Sequence, residues 1–244
     1  MNQIYEDILS SIAKGEKLLA VLIDPDKMRP DYVADFIRKV NATVTTHIFV
    51  GGSTVDSGAT HAIVSEIKKY TILPIVIFPG DINQITSEAD ALLFLSLISG
   101  RNPAYLIEKH IEAVTKLRGT SLEVIPTGYV LIENGKETSV ERVTETKPLS
   151  RDNLQKIIDT CKAGELLGMK LMYLEAGSGA TEAIESNIIK CVKNELSIPL
   201  IVGGGIRDIE TLEHSYISGA DLVVIGTAFE ENEQFMASFI KERI

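Results

Sequence analysis

Eight short apolar runs recur along the chain, at residues 18–23, 47–50, 74–78, 91–95, 122–132, 170–174, 199–202 and 222–225, and nearly all are continuous. A strand with one wetted face alternates apolar and polar side chains, whereas an unbroken run fits a strand buried on both faces. Most of the runs are followed by a segment with helical spacing, such as 32–40 and 56–69, which is the pattern of parallel βα units. Eight such strands in 244 residues favour an α/β chain closed into a TIM (β/α)8 barrel over an open doubly wound sheet. No linker, low-complexity tract or domain boundary interrupts the pattern, so residues 1–244 are expected to form a single domain.

Two irregularities modify this expectation. Only residues 80–90 separate the third strand from the fourth, about the ~10–12 residues of the shortest whole crossover. A normal helix is not expected there, so the barrel wall should have a gap. After the fifth strand, Asn134-Gly135 is the dipeptide favoured by a type I′ turn, and β-prone Thr138, Val140 and Val143 follow. That predicts an inserted hairpin. Further helices are expected at 4–14, ended by Gly15; at 103–117, with Pro103 in its first turn; at 150–167, closed by Gly168; and at 233–244.

A formal charge of −10 and a pI near 5.0 argue against nucleic acid or an anionic membrane as partner. An anionic ligand must therefore be held by backbone amides, a metal ion or a few basic side chains. Cys161 and Cys191 have no metal spacing and read as thiols of a reducing compartment. The N-terminus has no basic segment followed by an apolar one, and no run reaches the ~18 apolar residues of a membrane span. A cytoplasmic location is expected.

In barrels of this kind the active site lies at the C-terminal ends of the strands. Gly177-Ser178-Gly179 follows the sixth strand, Gly203-Gly204-Gly205 the seventh and Gly226-Thr227 the eighth. Glycine leaves the backbone N–H groups unobstructed, and the helices that follow add their positive dipole ends, so the three loops would form a phosphate socket. The alternative is that these glycines only make tight turns. Asp24, directly before Pro25, either turns the chain or offers a metal carboxylate, and Ser53 at the next strand end either joins it or meets a phosphate. Magnesium takes one or two carboxylates and fills its remaining positions with water and phosphate oxygens, which suits so sparse a set. Glu175 at the tip of the sixth strand reads as a general base or an acceptor for a substrate hydroxyl; the alternative is an ion pair with a loop cation. Tyr173 is core or site lining, and Lys27 and Arg207 are loop cations that either stay solvated at the surface, the default, or meet phosphates. No lysine ends a strand on this side, which argues against Schiff-base chemistry. His47, His61, His110 and His214 end no strand either, and there is no zinc-like His/Cys spacing.

Taken together, Ile23-Asp24-Pro25-Asp26-Lys27, Val50-Gly51-Gly52-Ser53, the stretch from Tyr173 to Gly179 (YLEAGSG), Val202-Gly203-Gly204-Gly205-Ile206-Arg207 and Ile225-Gly226-Thr227 resemble the geranylgeranylglyceryl phosphate synthase family, which includes the PcrB-type heptaprenylglyceryl phosphate synthases. The resemblance runs nearly end to end. Its most specific parts are YLEAGSG and IDPDK; GGGIR and GT recur in many phosphate-binding barrels. It implies a modified TIM barrel lacking its third helix. The reaction it implies is transfer of a prenyl group from a long prenyl diphosphate, geranylgeranyl diphosphate first, to the 3-hydroxyl of sn-glycerol 1-phosphate, with release of diphosphate. It implies Mg²⁺ on Asp24 and Ser53. It also implies a glycerol-phosphate site at Tyr173, Leu174, Glu175, Ala176, Gly177, Ser178, Gly179, Gly204, Gly205, Gly226 and Thr227. Asp24 and Glu175 are its implied catalytic residues. Residues 125–129 and the hairpin expected after them look like the longer, second subgroup, which implies a homo-oligomer, a hexamer or a dimer. An apolar trough over the strand ends, open where the helix is missing, would take the isoprenoid; Phe78, Pro79, Leu95 and Tyr129 are candidates for its lining, the alternative for each being plain core. A longer donor giving a heptaprenyl ether, a sugar-phosphate isomerase or synthase in the same fold, and a non-catalytic phosphate-metabolite sensor are the other readings.

Overall fold

A computed structural model describes residues 3–226, 228–229 and 233–240. Eight parallel strands, β1 (Leu18–Ile23), β2 (His47–Val50), β3 (Ile75–Ile77), β4 (Ala91–Leu97), β5 (Glu123–Leu131), β6 (Leu171–Glu175), β7 (Leu200–Gly203) and β8 (Leu222–Ile225), pair in sequence order. β8 returns to β1, with Leu18 opposite Leu222, and closes the barrel. Each apolar run has become one strand, and its period of two divides the core into two layers. Leu18, Ala20, Phe49, Leu93, Tyr129, Tyr173, Ile201 and Val224 fill the interior. Leu19, Val21, Ile48, Leu92, Val130, Leu174, Val202 and Val223 pack outward under the helices.

The helices among the described residues are α1 (Ile4–Ala13), α2 (Pro30–Ala42), α3 (Ala59–Ile67), α4 (Glu108–Leu117), α5 (Ser139–Thr144), α6 (Leu154–Leu166), α7 (Ser186–Glu195), α8 (Ile209–Ile217) and α9 (Glu233–Ala237). None is long and apolar enough to cross a membrane. α1 closes the N-terminal mouth: Ile4 and Ile8 join the interior layer, and the Glu123 carboxylate accepts from the N–H groups of Ile4 at 2.6 Å and Tyr5 at 3.2 Å. The last helix, expected over 233–244, ends at Ala237, and Ile240 forms an antiparallel bridge to Thr43; residues 241–244 lie outside the described residues.

The short third crossover behaves as its length requires, carrying one 3-10 turn, Ile82–Gln84, in place of a helix. The hairpin expected after Asn134-Gly135 is not there. Gly135 does turn the chain at φ +86, but Thr138 then caps a helix, its side chain accepting from the Glu141 N–H at 3.1 Å, and α5 forms. Ile132 bridges in parallel to Leu149, so the segment past the turn has no antiparallel partner strand. Val140 packs on the barrel interior instead. The helix expected over 103–117 also breaks in two, a 3-10 turn at Pro103–Tyr105 and then α4.

Candidate active site

The inward phase of each strand decides what reaches the C-terminal mouth. β1 turns Leu18, Ala20 and Leu22 inward, and the same phase brings Asp24 to the rim; β6 turns Leu171, Tyr173 and Glu175 inward. A basin of ≈ 1560 Å³ opens there, lined by Asp24, Lys27 and Ser53 on one side and by Tyr173, Glu175, Gly177, Ser178, Gly179, Gly204, Gly205, Arg207 and Gly226 on the other.

Leu174 and Ala176 do not line the basin. Both are fully buried under the helices, and the Ala176 N–H is already donated to the Gly203 carbonyl at 3.0 Å. The physical reason is the strand period: a contiguous seven-residue stretch cannot present every side chain to one side. Thr227 lies outside the described residues.

Glu175 is 5% exposed and ends β6 opposite Leu131 on one side and Gly203 on the other. The Gly177 N–H donates to its Oε1 at 2.5 Å, and the hydroxyls of Tyr173 and Tyr129 are near enough to its carboxylate to favour the charged form. Burial pushes the carboxyl above the ordinary glutamate range, against the three donors, which pull it down. The two phenols are driven well above their usual value by burial and by the Glu175 charge, so they remain protonated donors. Tyr129 pairs with Tyr173 across β5 and β6, and their rings meet edge to face at 5.4 Å. Gly203 makes this possible, since a Cβ there would lie 2.2 Å from the Tyr173 hydroxyl oxygen.

Beside Glu175, the loops present unpaired amides. Among the described residues, the N–H groups of Ser178, Gly179, Gly204, Gly205 and Gly226 have no acceptor. Gly204 and Gly205 hold φ +85 and +74, a left-handed pair that L side chains resist. Successive amides in such a loop form an anion-binding concavity. Arg207 stands over it, its Nη2 donating to the Ala180 carbonyl at 3.1 Å.

Across the basin, Asp24 keeps Oδ2 at 2.9 Å from Lys27 Nζ, with its side chain 22% exposed. Gly52 lies so close that a Cβ would sit 3.2 Å from Asp24 Oδ1. One carboxylate and the Ser53 hydroxyl are hard oxygen donors facing the basin, and no group of three or more His, Cys, Asp or Glu able to hold a metal exists among the described residues. The set fits an oxygen-preferring dication that draws its other ligands from water and a bound phosphate.

A second chamber of ≈ 830 Å³ meets the first at Gly52, Ser53, Phe78, Tyr129 and Val140. It is a mainly apolar trough that leaves the barrel mouth through the gap left by the missing helix. The four expected residues Phe78, Pro79, Leu95 and Tyr129 line it. Ile82, Ile85, Leu92, Phe94, His110 and Ala113, which the sequence alone did not point to, also line it. The His110 ring packs edge-on to Phe94 at 4.5 Å, its Nε2 lies 3.1 Å from Ser96 Oγ, and burial lowers its basicity.

Residues 11–244 match the sequence profile of the PcrB family. The chain is 50% identical over 238 residues to the geranylgeranylglyceryl phosphate synthase of Flavobacterium johnsoniae, covering 98% of each. It is 35% identical to that of Korarchaeum cryptofilum, covering 92% of this chain and 93% of the other. Among solved structures it is similar to the (S)-3-O-geranylgeranylglyceryl phosphate synthase of Thermoplasma acidophilum in complex with its substrate sn-glycerol-1-phosphate, with a TM-score of 0.90, 33% identity and full coverage of both chains. The N-acetylmannosamine-6-phosphate 2-epimerase of Clostridium perfringens shares the fold alone, at a TM-score of 0.57 and 14% identity.

Proposed function

The chain belongs to the PcrB family, and from that premise we propose a reaction for its two joined chambers: transfer of the prenyl group of geranylgeranyl diphosphate to the 3-hydroxyl of sn-glycerol 1-phosphate. A C–O ether bond forms, the allylic C–O bond to diphosphate breaks, and the hydroxyl proton is lost. One observation carries this reading. An amide-lined basin and an apolar trough share the Gly52–Ser53 edge, so an anionic acceptor and a long hydrocarbon donor meet at one point. A small sugar phosphate would have no use for the trough.

The unpaired amides of Ser178, Gly179, Gly204, Gly205 and Gly226 hold the acceptor's phosphate, with the Arg207 guanidinium adding charge nearby. That places the glycerol hydroxyls beside Glu175. Its raised basicity suits a group that accepts the proton as the ether bond forms, while Tyr129 and Tyr173 fix its rotamer. Asp24 and Ser53 would hold Mg²⁺, which when bound neutralises the departing diphosphate. Lys27, now on Asp24, is a further cation for that diphosphate. The aromatic group of Phe49, Phe78, Tyr129 and Tyr173 walls off the barrel interior beneath, keeping water from the allylic carbon. In solution the protein is a homo-oligomer, a dimer or a hexamer, which light scattering would read.

The test is incubation with geranylgeranyl diphosphate, either enantiomer of glycerol phosphate and Mg²⁺, with the product identified by mass. Glu175→Gln and Asp24→Ala are each expected to lose about 10²-fold or more in kcat/KM. If both variants stay within about threefold of wild type, these roles are wrong. Preference for a C35 donor would assign the longer ether instead.

A further inference from the structure

Resting on the reading above, we propose that Gln84 is the positioning residue for the prenyl diphosphate, locking the loop under the diphosphate to the floor of the hydrocarbon trough. Gln84 belongs to the 3-10 turn that stands where a barrel helix would be, and it is 1% exposed. Its side-chain amide meets both polar groups of one residue. Oε1 accepts from the Gly52 N–H at 3.2 Å, and Nε2 donates to the Gly52 carbonyl at 2.8 Å. A glutamine can do this because its amide carries a donor and an acceptor side by side, as a neighbouring strand would.

What Gly52 positions explains why the grip matters. It precedes Ser53, which lines both chambers, and it lies beside the Asp24 carboxylate, where a Cβ would fall 3.2 Å from Oδ1. The other side of the loop is already fixed by shape: a Cβ on Gly51 would lie 1.8 Å from the Phe78 carbonyl oxygen, and one on Gly80 would lie 2.3 Å from the Gly52 carbonyl oxygen. Backbone lies on backbone there, and the Gln84 amide closes the remaining face. The turn is itself anchored. Asp81 accepts from the Ile82 N–H at 2.8 Å and from Lys109 Nζ at 2.6 Å, and Asn83 Nδ2 donates to the Val55 carbonyl at 2.9 Å.

Ile82 and Ile85 face the trough, so three residues of one short segment touch the hydrocarbon chamber and the diphosphate loop together. Among the described residues, the Gln84 side chain makes no hydrogen bond to the glycine loops after β6, β7 and β8, which hold the acceptor. Gln84 should therefore act on the donor and not on the acceptor.

Two variants test this. Gln84→Met keeps the side-chain length and removes the amide; Gln84→Glu keeps the acceptor, removes the donor and adds a negative charge beside the diphosphate. For Gln84→Met, kcat/KM for geranylgeranyl diphosphate is expected to fall about tenfold or more, and for Gln84→Glu further. The calorimetric affinity for sn-glycerol 1-phosphate should stay within about twofold of wild type in both. Unchanged donor kinetics would overturn the proposal, as would an acceptor affinity that falls by the same factor, which is the mark of general structural support. If Gln84→Met does not fold, Gln84→Glu carries the same comparison. Wild-type protein that makes no ether would count against the transfer reaction itself, and the donor comparison is then made by direct binding of geranylgeranyl diphosphate.

Discussion

Burial and hydrogen bonding pull Glu175 in opposite directions, and burial wins. A carboxylate that must be ionised to take a proton gives a rate that falls as pH drops through its raised value, so the acid limb of kcat/KM should lie above the ordinary glutamate range. Tyr129 and Tyr173 each lower that value by donating to the carboxylate. Removing either donor raises it, so Tyr129→Phe or Tyr173→Phe should move the acid limb to higher pH, which a pH–rate profile would show. A limb that stayed in place or moved down would separate the tyrosines from Glu175. Sequence could place Glu175 and Asp24 at the rim, since one ends β6 and the other directly follows β1. It could not pair Tyr129 with Glu175, since that contact depends on the β5–β6 register, with Tyr129 opposite Tyr173. Leu174 and Ala176 fall within the motif when it is read contiguously, whereas a strand sends alternate side chains to opposite faces.

Among the elements, the connection from β5 to α6 departs furthest from its sequence pattern. Asn134-Gly135 and the β-prone residues beyond it favour a hairpin locally, but Val140 gains burial on the barrel interior and Thr138 supplies a helix cap. Tertiary burial outweighed local propensity, which is weak in any single segment. The same connection is tied to the phosphate loop by Arg151, whose side chain is 13% exposed. Its Nε donates to the Glu133 carbonyl, and its Nη2 donates to the carbonyls of Glu182 at 3.2 Å and Ala183 at 3.0 Å. Ala183 in turn lies against Gly205, whose Cβ would fall 2.8 Å from the Ala183 nitrogen. A lysine is a point charge and cannot span three carbonyls with one planar fork. Arg151→Lys should therefore weaken sn-glycerol 1-phosphate binding about tenfold by calorimetry, with KM for the donor unchanged. An unaltered acceptor affinity would show that the loop holds its shape without the clamp.

At the scale of the whole molecule, the closed barrel was legible because eight buried strands in 244 residues favour it over an open doubly wound sheet, and the gap was legible because residues 80–90 are too few for a helix. The trough's depth was not legible. It is made by the end of β3, one edge of β4 and one face of α4, which are brought together only by closure. Its reach follows from the fold: Leu92 and Leu97 both line it and are five residues apart on β4, a span of about 17 Å at ~3.3 Å per residue. Ala113 on α4 faces the same chamber and is 3% exposed, one turn further from the mouth than Lys109 and His110. A small side chain at that depth leaves room that a long prenyl chain would use and a short one would not reach. Ala113→Phe should then cut kcat/KM for geranylgeranyl diphosphate by about tenfold or more, since each buried CH₂ displaced is worth ~0.8 kcal/mol. A C10 donor should react at nearly the wild-type rate, and glycerol phosphate should bind as before. If the C10 and C20 donors lost activity equally, the hydrocarbon would have to leave the barrel mouth by another route, and the missing helix would lose its functional explanation.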